Sequence, residues 1–552
     1  MRRGMRLGVV FTAVSALIFA ACGGGGTSST SGTSGNTQGG TATVNMGTAP
    51  DSLDPQSGYT TQAAEADWLA YTGLLTYAHA NGQGGTQVIP GLAQALPQIS
   101  SDGLTYTLTL RPGLTYSNGA PVKASDFTYS LERAMKIGWG GKSFFTDYIV
   151  GASDYDSGKA PTISGITTDD ATGQITIHLT KVYGAFDNVI AFPAAGLVPT
   201  GTPMTDQGNS PPPGVGSYAI TNVVPNQSFT MQKNSRFNIP GIPQGHLQTI
   251  NVHIQSNTLT EAQQVLNNQA DNFDAGDTVP PTLLNQIQSS AASRFAKETV
   301  ALTFYFFMNT TIPPFNNAMA RQAVNLALDR RALQRLASGF LTPGCYFLPP
   351  QLPGHPTAPC PYGDPNAAPD LNKAKQLVQQ SGLAGTPVTV YGETRTPRRQ
   401  YVDYYTSVLN QLGFHATEQI LQDSVYFTTI GNASTNPQTG FADWSQDFPN
   451  PSDFYLLLDG TAIQPVKNQN FSKVNDPQIQ SSLAKLYPVP ATQLSTVASQ
   501  WAQLDQYVAQ QAYEAVYGYE QVPKFMSNRI NFNSAVFHPV YYNDWSSWQL
   551  NS

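Results

Sequence analysis

The sequence predicts a mixed α/β protein built of more than one lobe, and three observations carry that prediction. Residues 104–110 alternate Leu104, Tyr106, Leu108 and Leu110 with Thr105, Thr107 and Thr109, and Ile175, Ile177 and Leu179 repeat the period of two, the signature of a half-buried strand. In the second half of the chain, strand-like runs alternate with helix-like periods, an order that favours mixed sheets. The length of 552 residues exceeds what a single hydrophobic core organises.

The elements follow in chain order. Met1, Arg2, Arg3 and Arg6 form a basic start, and residues 7–20 an apolar stretch too short to remain as a membrane span. Small residues then precede Cys22, as in a lipobox, although Phe19 stands where Leu is usual. Residues 1–21 are therefore expected to be a signal peptide and Cys22 the lipid-attachment site, with an ordinary signal peptide and an incidental Cys as the alternative. Residues 22–41, rich in Gly, Ser and Thr, have almost nothing to bury and read as a tether, with a reach of roughly 25 Å for ~19 flexible residues.

A strand is expected at residues 41–46 and a helix over 60–75, with Ala64, Trp68, Tyr71 and Leu75 at near-helical spacing. Ser125 or Asp126 should cap a helix running through Leu131 to Met135. The Pro- and Gly-rich residues 201–216 read as a crossover between lobes. Residues 258–268 read helical, and the apolar run 302–307 suits a buried strand. Asn316 or Asn317 should cap a helix carrying Ala320, Val324, Ala327 and Leu328 on one side. A helix over 371–381 ends at Gly382; a strand at 388–391 and a helix over 399–412 follow. The Cys345 and Cys360 thiols lie 15 residues apart in a chain expected outside the cytoplasm. A disulfide there would close a proline-rich loop and contribute about 3 kcal/mol on the chain-entropy view; two free thiols are the alternative.

Composition and missing motifs narrow the function. Net charge is −7 and charged residues are 11% of the chain, which argues against nucleic acid or an anionic membrane surface as partner. Aromatics reach 11%, as a large core or an aromatic cleft would require. The run Gly140-Gly141-Lys142-Ser143 cannot be a phosphate loop, because Lys136 stands where its first Gly would fall. There is no G-x-S-x-G elbow, no His pair at zinc-helix spacing, and Asp169-Asp170 reads as a solvated turn. No catalytic residue, metal or cofactor is expected, and enzyme function is left unsupported rather than excluded.

One long segment is specific. Leu92-Ala93, Asp102-Gly103, the strand 104–110, Arg111-Pro112-Gly113, Ser117-Asn118-Gly119-Ala120-Pro121, Ala124-Ser125-Asp126 and Glu132-Arg133 follow in one gapless order. This order resembles the signature of the bacterial extracellular solute-binding proteins, family 5, which includes oligopeptide-, dipeptide- and nickel-binding members. Ser52-Leu53-Asp54-Pro55, Gly214-Val215-Gly216-Ser217-Tyr218, Arg321-Gln322-Ala323-Val324 with Asp329-Arg330, Ala374-Lys375-Gln376-Leu377, and Trp444-Ser445-Gln446-Asp447-Phe448-Pro449 resemble further family motifs in order.

The resemblance implies a type II periplasmic-binding-protein clamp of two lobes, with an additional α/β domain inserted in the first. Mapped onto this sequence, the first lobe is 42–75, 196–297 and 521–552, the inserted domain 76–195, and the other lobe 298–520. It implies an extracytoplasmic, membrane-anchored, monomeric lipoprotein that hands peptides to an ABC permease; an oligosaccharide or other small solute is the alternative ligand, and a secreted hydrolase a more distant reading. The implied ligand contacts are Asp447, Trp444, Phe448, Tyr59, Thr60, Thr61 and Gly276. Asp447 stands where peptide-binding relatives hold the ligand's α-amino group, while capping of the turn before Pro449 is its structural alternative. Arg395, Arg398 and Arg399 are candidates for a ligand carboxylate by proximity in sequence alone.

Overall fold

Thr60, Asn257, Asn317, Asp329 and Asp370 each stand directly before a helix, and each side chain accepts a first-turn backbone N–H. Those N–H groups have no partner within the helix, so the caps fix where Thr61–Ala70, Thr258–Leu266, Ala318–Ala327, Arg330–Leu336 and Leu371–Gln380 begin. The computed structural model describes residues 39–551 except Lys467. The signal segment, Cys22 and nearly all of the tether lie outside the described residues.

Strands and helices assemble into two lobes. In the first, Thr41–Met46 runs parallel to Thr249–Ile254, and Ser228–Lys233 and Tyr218–Val224 extend the sheet antiparallel. A second four-stranded sheet is built around Thr105–Thr109, with Gln98–Ile99, Gln174–His178 and Ile166–Asp169. Both sheets feed one continuous hydrophobic core, in which Val44, Ile250, Tyr106, Leu108, Phe127 and Ile175 are all buried.

The other lobe has a six-stranded sheet in the order Leu341–Pro343, Glu514–Phe525, Phe295–Met308, Thr439–Ser445, Pro387–Glu393 and His415–Leu421. Phe306 stacks on Tyr405 at 4.0 Å at the centre of its separate core. Its two longest strands, Phe295–Met308 and Glu514–Phe525, run antiparallel out of that core. At their far end Phe295 packs against Phe525 beside the helix Thr258–Leu266. Their pairing is interrupted between Thr299 and Thr303, so the two-strand link between the lobes carries an irregularity in its ladder.

Several expectations are met and four are corrected. The strand at 41–46, the Asn317 cap, the left-handed Gly382 after Leu371–Gln380, and the Cys345–Cys360 disulfide are all present. The expected strand at 302–307 is longer, Phe295–Met308. The first helix stops at Ala70 rather than reaching Leu75. Beyond it the Thr72 N–H donates to the Val215 carbonyl and the Gly91 N–H to that of Leu74, so Leu75–Tyr77 pairs as a strand with Val88–Pro90. Neither Ser125 nor Asp126 caps the helix Ser125–Ile137: the Asp126 carboxylate accepts the Lys123 N–H at 2.9 Å and the Thr200 N–H at 3.0 Å instead. The segment 201–216 does not cross between lobes; it returns the chain to the first sheet within the same core.

That return is pinned by an ion pair. Arg133 is wholly buried, and its guanidinium makes a bidentate contact with the equally buried Asp54, at 2.6 and 2.5 Å. Its remaining donors go to the Gln56 side chain at 2.9 Å and to the carbonyls of Pro203 at 2.7 Å and Thr205 at 2.8 Å. All five N–H groups are used, which is what a buried guanidinium requires. Replacing Asp54 with Ala leaves that charge buried and uncompensated. We expect it to destabilise the first lobe by about 3–5 kcal/mol, read as a lower midpoint in urea denaturation. The double replacement Asp54→Leu/Arg133→Met should cost less than Asp54→Ala; an equal or larger cost would show that the pair does not act as a unit.

Candidate ligand-binding cavity

A cavity of about 240 Å³ lies between the lobes, walled on one side by residues 58–67, Trp139, Phe192 to Ala194, Val540 and Tyr541, and on the other by Ser445, Gln446 and Asp447. The first wall is ordered from its own backbone. Asp51 accepts the N–H groups of Tyr59 and Thr60 and, at 2.8 Å, the Thr60 hydroxyl, and Thr60 in turn caps the helix Thr61–Ala70. Gly58 makes this possible: a Cβ there would lie 2.8 Å from the Ser52 carbonyl and 2.9 Å from the Ala63 side chain. The Trp139 indole donates to the Gly58 carbonyl at 3.0 Å and meets the Tyr59 ring edge-on at 5.4 Å. Tyr541 is set by His538, whose Nδ1 accepts the N–H groups of Val540 and Tyr541 at 3.2 and 3.1 Å. Burial lowers the His538 pKa to about 3, so the ring stays neutral and keeps that acceptor.

The opposite wall hangs on Asp453. In the short helix Pro451–Tyr455, Asn450 accepts the Ser452 N–H. Asp453 Oδ2 then accepts the Trp444 indole at 3.2 Å and the Asp447 N–H at 2.9 Å. Asp447 is thereby turned toward the first wall, where its Oδ1 accepts the Tyr59 hydroxyl at 3.3 Å across 388 residues of sequence. Its carboxylate accepts no turn N–H among the described residues, so the capping alternative falls to Asn450 and Asp453. Burial holds the Asp447 carboxyl above the ordinary carboxylate range, and the Tyr59 hydrogen bond opposes it. Burial and the neighbouring Asp447 charge push Asp453 up as well.

Of the seven expected contacts, the structure brings Tyr59, Thr60, Thr61 and Asp447 together around the cavity. Trp444 stands behind it as a partner of Asp453. Phe448 is buried and packs on Phe144 at 5.7 Å and Phe192 at 6.2 Å, joining the core of the opposite lobe rather than the cavity. Gly276 lies beside Asp274 and Gln62, away from the lining. None of the three arginines lines the cavity: Arg398 pairs with Glu393 at 2.8 Å and with Asp443, Arg399 with Asp403 and Glu418, and the half-exposed Arg395 with Glu393 at 3.5 Å. Sequence reasoning missed Asp67, Trp139, Gln446 and Tyr541. Asp67 had a visible signal, an acid on the stripe of Ala63, Ala66 and Ala70 that the helix buries. Among the described residues there is no cluster of His, Cys, Asp and Glu that could hold a metal ion and no helix long and apolar enough to cross a membrane.

Comparison with known proteins points one way. The family model described as bacterial extracellular solute-binding proteins, family 5, middle, matches residues 87–465. The glutathione-binding protein GsiB of Salmonella paratyphi A is 24% identical over 415 residues, 70% of this chain and 75% of the relative. The dipeptide-binding protein DppE of Bacillus subtilis is 25% identical over 350 residues, 61% of each chain. Among solved structures, clavulanic acid biosynthesis oligopeptide binding protein 2 superposes with a TM-score of 0.83 at 22% identity, covering 94% of this chain and 96% of that one. The periplasmic murein tripeptide binding protein MppA in its unliganded open form gives 0.76 at 21% identity, covering 94% and 99%.

The two walls are coupled through the Tyr59 hydroxyl, and Tyr59→Phe removes it. We expect the Asp447 carboxyl to titrate at higher pH in that variant than in the wild type, followed by NMR of isotope-labelled aspartate carboxyls. An unchanged midpoint would mean that Tyr59 does not hold Asp447 in solution.

Proposed function

The chain belongs to the bacterial extracellular solute-binding proteins, family 5, and on that premise we propose that it is the extracytoplasmic binding component of an ABC importer for short peptides. The observation that carries the peptide reading is Asp447, a carboxylate presented to a small cavity whose lining has no Lys, Arg or His. Every peptide with a free N-terminus carries an α-ammonium group, so one fixed carboxylate captures many sequences. Once the lobes close over the ligand and exclude water, such a charge-assisted hydrogen bond counts for more than at a surface. The volume of about 240 Å³ is below the roughly 300–1,000 Å³ of pockets for drug-sized ligands, which favours a ligand of very few residues. Thr60 and Thr61 supply hydroxyls at the start of the helix, and Tyr59 and Trp139 supply apolar faces.

In this reading the protein is a carrier and not an enzyme, works as a monomer without cofactor, and is held at the outer face of the cell membrane by a lipid on Cys22 with the tether 22–41 as its leash. The first lobe comprises 42–75, 196–297 and 521–552 with 76–195 inserted, and the other 298–520. The lobes close over the ligand, and the loaded form docks on a membrane permease. Of the implied contacts, Trp444 and Phe448 position Asp447 rather than touch the ligand.

Two outcomes test the role of Asp447. Asp447→Asn removes one partner of a shielded charge pair, typically about 2–5 kcal/mol. Affinity for dipeptides should therefore fall about 30-fold or more, and N-acetylation of the peptide should cost the wild type a similar factor. Calorimetric titration reads both; equal affinity for free and acetylated peptides would favour a sugar or another solute.

The second outcome is a pH profile. The unliganded Asp447 carboxyl titrates at about 6, and a bound ammonium stabilises only its ionised form. Binding strength is therefore fully present above that pH and lost as pH falls through it, by up to about tenfold per unit. Asp447→Asn should abolish this fall, and a profile flat between pH 7 and 4 would exclude the pairing.

A further inference from the structure

Among the residues lining the same cavity, three buried polar atoms lack a partner. Asp67 is 1% exposed and its Oδ1 has no hydrogen-bond partner; the same holds for Gln446 Oε1 and for the hydroxyl of Tyr541, itself 4% exposed. All three residues line the cavity. The orientation of Gln446 is settled by its other end, since Nε2 donates to the Pro539 carbonyl at 2.7 Å and leaves the oxygen free. The Gln446 oxygen therefore only accepts, the Tyr541 hydroxyl accepts or donates, and the Asp67 carboxyl only accepts once ionised. Buried acceptors without donors are costly and uncommon in folded proteins, so this cluster asks for a group rich in donors.

The charge of the surroundings decides which group. Asp67 and Asp447 both face the cavity, Asp453 stands directly behind Asp447, and no basic side chain lines the space. Burial, with Asp54 and Asp51 nearby, holds the Asp67 carboxyl well above the ordinary range, as expected for an acid that lacks its counter-charge. Ammonium and guanidinium groups carry donors only.

We propose that Asp67, Gln446 and Tyr541 form a second, cation-selective subsite, so that the favoured ligands are short peptides carrying a basic side chain in addition to their α-amine. The inference rests on the peptide reading, with the α-amine at Asp447 and the side-chain cation at Asp67.

The test is calorimetric titration of the full chain with lysyl-alanine against norleucyl-alanine, and alanyl-lysine against alanyl-norleucine; each pair differs chiefly by the side-chain ammonium. In at least one pair the lysine peptide should bind the wild type about tenfold or more tightly. Asp67→Asn should bring that ratio close to one, whereas Asp447→Asn should weaken both members alike. Norleucine peptides that bind as well as lysine peptides in the wild type overturn the inference and leave the peptide reading standing. A ratio that survives in folded Asp67→Asn overturns the assignment to Asp67. If no dipeptide binds while a sugar or other solute does, the peptide reading falls and this inference with it. The wild-type comparison decides the matter even if the variant fails to fold.

Discussion

The buried guanidinium of Arg133 is the constraint from which the first wall of the cavity hangs. It holds Asp54 and Gln56 with its two terminal nitrogens, and the Gln56 amide in turn donates to the carbonyls of Ala194 and Gly196 at 3.3 and 2.9 Å. Arg133 lies on the helix Ser125–Ile137, and Trp139 follows two residues after that helix ends. One side chain thus ties together three stretches that reach the cavity: 58–67 through the turn at Asp54, Trp139 through its own helix, and Phe192 to Ala194 through Gln56. Desolvating a charge pair is expensive, and the pair is weak evidence for net stability. Its value here is geometric, because only one arrangement satisfies every donor.

The opposite wall solves the same problem with the opposite charge. Asp453 gathers an indole N–H and a backbone N–H and so shapes the loop that presents Asp447. Two buried polar centres, a guanidinium and a carboxyl, therefore frame a cavity whose ionisable acids, Asp67 and Asp447, face no base in its lining. The acids on its surface are raised in pKa by burial, a perturbation that functional sites share with buried structural acids.

Much of the architecture was legible in the sequence, because strands and caps are local. The alternation at 104–110 and the Asn317 cap depend on neighbours within a few residues. The first helix was overextended because its end is set by pairing of Thr72 with Val215, a contact no period encodes. The site was half legible. Tyr59 to Thr61 and Asp447 meet at the cavity, but Phe448 was expected to touch ligand when its apolar ring is instead taken into the facing core. Gln446 and Tyr541 were invisible for a topological reason: one lies in the loop after a central strand of one lobe and the other in the C-terminal hairpin of Phe537–His538 with Tyr542–Asn543, and nothing in either stretch announces that they converge.

The seating of Phe448 has an energetic meaning. The ring belongs to the loop of one lobe yet is solvated, in effect, by Phe144 and Phe192 of the other. Any separation of the walls withdraws it into water, at about 1.5–3 kcal/mol for a side chain of this size, or roughly ten- to a hundredfold in the ratio of closed to open molecules. That bias acts whatever occupies the cavity, because Phe448 lies outside its lining. Contact between the walls and the chemistry of the cavity are thus assigned to different side chains.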